Sequence, residues 1–179
     1  MIVAPTAKIF PWAKLVDDAG VLSIGEHAQI DDFVFLNAGR RCDIGRFVHL
    51  ASFVSVVGGG EFVIEDFSGL SAGVRVITGT DDYSGPYLTN PTVPRDLTHY
   101  VISHVHLERH VIVGTNAVLY PGVTLPEGVA IGAGCHVRKR LEPWSVYAGE
   151  PLRKIGERDA AAIKDKALIA LEKTGLPPR

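Results

Sequence analysis

Two adjacent carboxylates, Asp81 and Asp82, open a stretch rich in Tyr, Pro and Asn within an otherwise regular chain. A carboxylate can bind and orient an ammonium group, but it is a weak base for a hydroxyl unless its pKa is raised. The alternative is an Asp-Asp turn in which the side chains accept from their own backbone. Imidazole is the side chain suited to deprotonating a hydroxyl near neutrality. Of the seven histidines, His49 is the preferred candidate, as base for a hydroxyl or as a second ligand for an amine. His104, His106 and His110 invite a metal reading by their spacing. No cysteine or third-ligand motif completes a zinc signature, and no metal is expected. Tyr83 and Asn90, which follow the aspartates, are candidate substrate contacts.

These residues need a scaffold, and the stretch from Val101 to Lys139 defines it. Leu107, Val113, Leu119, Leu125, Ile131 and Val137 recur every sixth position, with Val111, Ala117, Val123, Val129 and Cys135 four residues after the first five. The second place of each hexad holds Glu108, Gly114, Tyr120, Pro126 and Gly132, with Tyr120 the exception to a turn-like pattern. An α-helix at 3.6 residues per turn would wind a six-residue stripe around its cylinder. A plain strand alternates in twos. Hexapeptide periodicity is the signature of a parallel β-helix, with three short strands and three corners in each coil.

The same phase runs back through Ile64, Leu70 and Val76, then Ile44, Leu50 and Val56, to Ile24, Ile30 and Leu36. Two-residue slips between these sets fall at corners, where bulges leave the stacked faces in register. Residues 1–23 carry no evident phase and are expected to cap one end. Residues 24–155 form the β-helix domain, interrupted by an insert loop at 77–100 that reads as an ordered arm reaching a neighbouring subunit. Residues 156–179 supply a C-terminal α-helix and tail, with Ile163, Ala167 and Leu171 on one stripe, expected to cap the other end. The fold class is all-β with that one helix.

Composition narrows the function. The chain has 179 residues, 46% hydrophobic and 21% charged, with a net charge of −2. That is one domain with enough length for a continuous core, and no basic footprint for nucleic acid. No apolar run is long enough for membrane insertion, and no leader pattern opens the chain. A cytoplasmic protein is expected. Cys42 and Cys135 suit a reducing compartment, Cys135 as a small buried hydrophobe.

The hexads Val113-Gly114-Thr115-Asn116-Ala117-Val118 and Ile131-Gly132-Ala133-Gly134-Cys135-His136, followed by Val146-Tyr147-Ala148-Gly149-Glu150-Pro151-Leu152-Arg153-Lys154-Ile155, carry a family resemblance. The chain resembles the hexapeptide-repeat acyltransferases of the galactoside and maltose acetyltransferase branch. The segment from Thr80 to Pro94 looks like acyltransferases of nucleotide-linked amino sugars in bacterial surface-polysaccharide (lipopolysaccharide) synthesis. The resemblance implies a left-handed parallel β-helix, an exception to the right-handed crossover rule. It implies a homotrimer with active sites between subunits, and acetyl-CoA in the groove between adjacent coils. It points to Thr115 and Ala133 as backbone contacts of the pantetheine, and to Arg138 and Lys139 near the adenosine end. Arg153 and Lys154 are further phosphate candidates, with a solvated basic surface as the alternative.

In the galactoside branch the insert begins with a histidine that acts as general base, and Asp81 stands at that position here. This departure favours transfer to an amine over transfer to a hydroxyl. The expected activity is therefore N-acetylation of an amino sugar, such as a nucleotide-linked 4-amino-4,6-dideoxyhexose, by direct attack on the thioester. Asp81 or Asp82 would orient the amine. The alternatives are sugar O-acetylation with His49 as base, and a non-catalytic trimeric β-helix scaffold.

Overall fold

In the computed structural model, which describes residues 1–19, 21–138 and 140–179, the hexads become strands of three parallel sheets. The first sheet stacks Ile2–Val3, Leu22–Ile24, Arg41–Ile44, Glu61–Ile64, His104–Leu107 and Val123–Leu125. The second runs from Lys8–Ile9 through His49–Leu50 and Gly69–Leu70 to Ala130–Ile131, Ser145–Ala148 and Arg153–Glu157, the last strand antiparallel. The third stacks Lys14–Val16, Phe35–Asn37, Ser55–Val57, Arg75–Ile77, Val118–Leu119 and His136–Val137. The chain visits the sheets in rotation, so each coil hydrogen-bonds only to the coils before and after it.

Inward hexad residues fill the prism between the sheets. Leu107, Val113, Leu119, Leu125 and Val137 are fully buried, and so are the four-place partners Val111, Ala117 and Val129. Branched aliphatic side chains suit a strand interior of this width, where each inward residue packs on its copy one coil away. Ile24 pairs with Ile44 and Ile44 with Ile64, giving twenty residues per coil, whereas Leu107 pairs with Leu125 after eighteen. The two extra residues sit at the corner between the third and first sheets, and the inward ladder is undisturbed.

The N-terminal segment differs from expectation. Residues 2–16 form a complete coil, with Ile2↔Ser23, Lys8↔Gln29 and Lys14↔Phe35 in parallel register. Its hexad phase is Val3, Ile9 and Leu15, with Ala7 and Ala13 packed against the core. Those small alanines weakened the pattern in the sequence.

One outer corner carries a column of rings. His27, Phe47, Phe67 and His110 all have positive φ (58°, 56°, 61° and 63°), and their centroids are 5.0, 4.7 and 5.5 Å apart. A left-handed conformation costs a bulky residue about 1–2 kcal/mol, and aromatic pairs return about 0.5–1.5 kcal/mol each. Stacking from coil to coil thus offsets the strain of the turn.

The helix Ala160–Thr174 is capped by Asp159, whose side chain accepts from the Ala162 N–H, and ends at Gly175 with φ 71°. It lies along this corner instead of closing the end of the coil. Arg158 donates to the carbonyls of His110 (2.6 Å) and Gly128 (2.8 Å) and so fixes its start. At its far end the buried Arg46 donates to the Pro177 carbonyl at 2.8 Å while also meeting Asp66. Of the helix only Leu171 is buried, and polar anchors hold its two ends to this corner.

Candidate active site

The arm leaves the solenoid at the corner between the third and first sheets. Its two ends are joined: Gly79–Asp81 pairs antiparallel with Tyr100–Ile102, Asp81 opposite Tyr100, and the Ser103 N–H donates to the Thr78 carbonyl at 2.7 Å. The buried Thr78 hydroxyl accepts from the Gly60 N–H and donates to the Val57 carbonyl. This corner demands glycine. A Cβ on Gly58, where φ is 113°, would lie 2.2 Å from the Gly79 nitrogen, and one on Gly79 would lie 2.4 Å from the Gly58 carbonyl oxygen. Tyr100 donates its hydroxyl to that same carbonyl at 3.0 Å. Burial, and then the nearby Asp81 carboxylate, push the phenol pKa up, so the donor proton is retained.

Between arm and coil lies an open groove of about 1380 Å³, with Asp81, Tyr83, Asn90, Arg95, Tyr100 and Tyr120 in its wall. Two backbone segments that could not otherwise approach are brought together here by the glycine corner. The half-buried Asp81 has no side-chain hydrogen-bond or ion-pair partner among the described residues. It forms part of the groove wall.

Asp82 is placed differently. Its Oδ1 accepts from the Ser84 N–H (2.9 Å), the Ser84 hydroxyl (3.0 Å) and the Gly85 N–H (3.0 Å), and Oδ2 lies 3.3 Å from His99 Nδ1. The Ser84 N–H first, then His99, hold its pKa down at about 2. This is the self-bonded turn, and Asp82 shapes the arm that presents Asp81. The sign of the pH effect follows. A lowered pKa means that the turn is supported above the ordinary value of 3.8 and loses that support as pH falls from there towards 2. Amide protection of Ser84 and Gly85 is expected to drop across that window, after correction for intrinsic exchange. Asp82→Ala is expected to remove it at all pH values. A pH-independent protection pattern in the wild type would contradict this account.

The remaining candidates are spread over other faces. Asn90, with φ 81°, turns its side-chain oxygen to the Thr92 N–H and hydroxyl, so its role in the groove is to form a bend. Tyr83 is 88% exposed. His49 stands on the outer face of the second sheet, away from this groove, with Nε2 2.9 Å from Asp31 Oδ2. Thr115 and Ala133 are exposed one coil apart at the corner between the second and third sheets. The Gly114 corner there is so closely stacked that a Cβ would meet the Ala133 nitrogen at 2.6 Å. Arg138 lies 4.2 Å over the Tyr120 ring and donates to the Tyr120 hydroxyl at 2.8 Å. Lys139 lies outside the described residues. Lys154 is already bound by Glu142 (2.8 Å) and Glu157 (2.9 Å), which raise its pKa and occupy its charge, while Arg153 is exposed.

The histidines with metal-like spacing do not converge: His106 bonds Glu65 at 2.8 Å and His110 stacks between Phe67 and Trp144. Among the described residues no group of three or more His, Cys, Asp or Glu could hold a metal ion. Tyr120 is a groove residue that the site reading of the sequence passed over. Its signal was present, as the one second-place residue in its series unlike the others. Arg95 had no such signal.

No protein-family model matches the chain. The dTDP-4-amino-4,6-dideoxy-D-glucose acyltransferase of Escherichia coli is 36% identical over 157 residues, covering 87% of this chain and 79% of the relative. This chain belongs to the hexapeptide-repeat acyltransferase family. Its solenoid is the left-handed β-helix of these acyltransferases. Among solved structures of the family, AntD, an N-acyltransferase from Bacillus cereus in complex with dTDP and 3-hydroxybutyryl-CoA, superposes with a TM-score of 0.87. That match has 31% identity and covers 96% of this chain and 91% of the other. A serine-to-cysteine variant of AntD, in complex with dTDP-4-amino-4,6-dideoxyglucose and coenzyme A, gives 0.84 at 32% identity over 95% of this chain and 90% of the other.

Proposed function

We propose that this protein transfers an acetyl or short acyl group from acyl-CoA to the amino group of a nucleotide-linked 4-amino-4,6-dideoxyhexose. The observation that carries the reading is the Asp81 carboxylate, unpartnered among the described residues, in the groove wall where a hydroxyl acceptor would need a base. An amine arrives largely as ammonium, and a carboxylate is its natural partner. Once the ammonium gives one proton to solvent water, the neutral amine is nucleophilic enough to attack the thioester carbon. The N–C bond forms, the C–S bond breaks, and the departing sulfur leaves as the CoA thiol with a proton from the nitrogen. Thr115 and Ala133 would line the pantetheine, and Arg138 would serve the adenosine end.

The AntD complexes with dTDP and with the amino sugar support the acceptor class. The AntD variants alter an aspartate and a serine ten positions before it. This chain has a single serine followed ten residues later by an aspartate, Ser71 and Asp81. That spacing supports Asp81 over Asp82 and adds Ser71 to the candidate site.

The working unit is a homotrimer with active sites between subunits, acting in the cytoplasm in surface-polysaccharide synthesis. An exposed corner column supports association: Trp12 meets Phe33 edge-on at 5.5 Å and Phe33 stacks on Phe53 at 5.2 Å, beside Phe35 and Val57 on the third sheet. Among the described residues no helix is long and apolar enough to cross a membrane.

A second reading, O-acetylation, is favoured by one observation: His49 has a carboxylate partner in Asp31, which would hold the imidazole for base catalysis. The two separate by product chemistry. Incubation with acetyl-CoA and dTDP-4-amino-4,6-dideoxyglucose is expected to release CoA and give a product whose added acetyl mass survives mild base. Loss of that mass would identify an ester and transfer the role of base to His49.

A further inference from the structure

Of the described residues in the groove wall, Asp81 is the one carboxylate and Arg95 the one basic side chain. Arg95 stands on the arm, in the short 3₁₀ turn Arg95–Leu97. The backbone beneath it is fixed: the Leu97 N–H donates to the Pro94 carbonyl at 3.0 Å, and the Thr98 N–H and hydroxyl both donate to the Arg95 carbonyl. The guanidinium itself has no ion pair or side-chain hydrogen bond among the described residues. Arg46, Arg75, Arg138 and Arg158 do have such partners. Asp96, its neighbour in sequence, lies outside the groove lining and does not neutralise it there.

A lone exposed arginine is ordinary. Its information here comes from the charge layout of the groove, with one negative group and one positive group on a wall otherwise built of neutral residues. A nucleotide-linked amino sugar carries the complementary layout, an ammonium on the sugar and a diphosphate between sugar and nucleoside. Guanidinium presents a planar fork that fits phosphate oxygens in pairs, which an ammonium does not. A free amino sugar has nothing to place there.

Resting on the function proposed above, we infer that Arg95 binds the diphosphate and selects nucleotide-linked over free amino sugars. Asp81 and Arg95 then act as two poles: one receives the reacting nitrogen, the other fixes the distance from it to the nucleotide. Arg95 takes no part in bond making, so its contribution falls on acceptor affinity.

The test is calorimetric titration of dTDP, thymidine and CoA into wild type, Arg95→Met and Arg95→Lys. Wild type is expected to bind dTDP more tightly than thymidine. Arg95→Met is expected to weaken dTDP by about tenfold to a hundredfold, the scale of a charged hydrogen-bond pair. Thymidine and CoA binding should hold, and the KM for dTDP-4-amino-4,6-dideoxyglucose should rise with the dTDP dissociation constant. Arg95→Lys should recover part of the loss, since the charge is kept without the fork. Unchanged CoA binding reports that the coil is intact, and partial recovery in the lysine variant reports an ordered arm. If dTDP binding is the same in Arg95→Met and wild type, the inference about Arg95 is wrong while the nucleotide-sugar reading stands. If wild type binds no dTDP, that reading fails and takes the Arg95 inference with it.

Discussion

Asp81→Asn is expected to lower kcat/KM for the amino-sugar acceptor by about a hundredfold or more, the scale associated with misplacing a reacting group. The substitution keeps shape and hydrogen-bonding capacity but removes the charge that draws an ammonium into the groove. Among the described residues Asp81 has no side-chain hydrogen-bond or ion-pair partner to lose, its strand pairs with Tyr100 through the backbone, and its charge otherwise only adds to the upward push that burial gives the Tyr100 phenol. CoA affinity is therefore expected to stay within about twofold of wild type, because the proposed pantetheine contacts, Thr115 and Ala133, lie at a different corner. Steady-state kinetics and CoA titration on the same preparation decide the matter. Full turnover in Asp81→Asn would remove this residue from the reaction and leave the groove without a polar group for the amine other than hydroxyls and amides.

The largest stability effect is expected at another corner of the prism, between the first and second sheets. Arg46 and Asp66 are 3% and 6% exposed, joined at 2.8 Å through both Nε and Nη2, with the Arg46 backbone N–H also bonded to Asp66 at 2.7 Å. Removing one member of a buried pair leaves the other charge uncompensated, at a cost of about 3–5 kcal/mol. Arg46→Met also frees the Pro177 carbonyl, so the C-terminal tail comes loose along with the ion pair. At about 2–4 °C per kcal/mol for a chain of this size, the melting temperature is expected to fall by about 6–20 °C. Adding Asp66→Asn should restore most of the loss, because Asn removes the stranded charge and still accepts from the Arg46 backbone N–H. Calorimetric melting of wild type, single and double variants checks both steps. A single variant that melts within about 2 °C of wild type would show that the pair contributes little.

The β-helix was legible because its signal is periodic and redundant. Ile131 is placed inward by the same rule as Leu107 and Val113, and one ambiguous residue cannot overturn six that agree. The first coil escaped because Ala7 and Ala13 occupy its inward places, and alanine gives little apolar contrast. The position of the helix escaped for a different reason: its anchors, Arg46, Asp66 and Arg158, are charged residues, and in a sequence charged residues read as surface. The site was legible only in part. Asp81 could be located by counting from the last strand before the arm, since the arm begins at a fixed corner. That Asp82 belongs to its own turn, or that Arg95 returns to line the same groove as Asp81, depends on how a non-repeating segment folds, and no periodicity carries that information. Tyr120 lay between these cases, marked as an irregularity before its place in the groove was known.

The closure of the arm at its base has a consequence for how such proteins diversify. Because Thr78 and Ser103 meet and the strands above them bond to each other, the coil above and the coil below are joined as though nothing stood between them. On the sites proposed above, lengthening, shortening or rewriting the segment beyond that clasp would change what the enzyme accepts without disturbing the corner of Thr115 and Ala133. Acceptor choice and thioester handling would then be separable by construction, so that chains sharing one prism could differ in the sugars they modify while keeping one source of acyl groups.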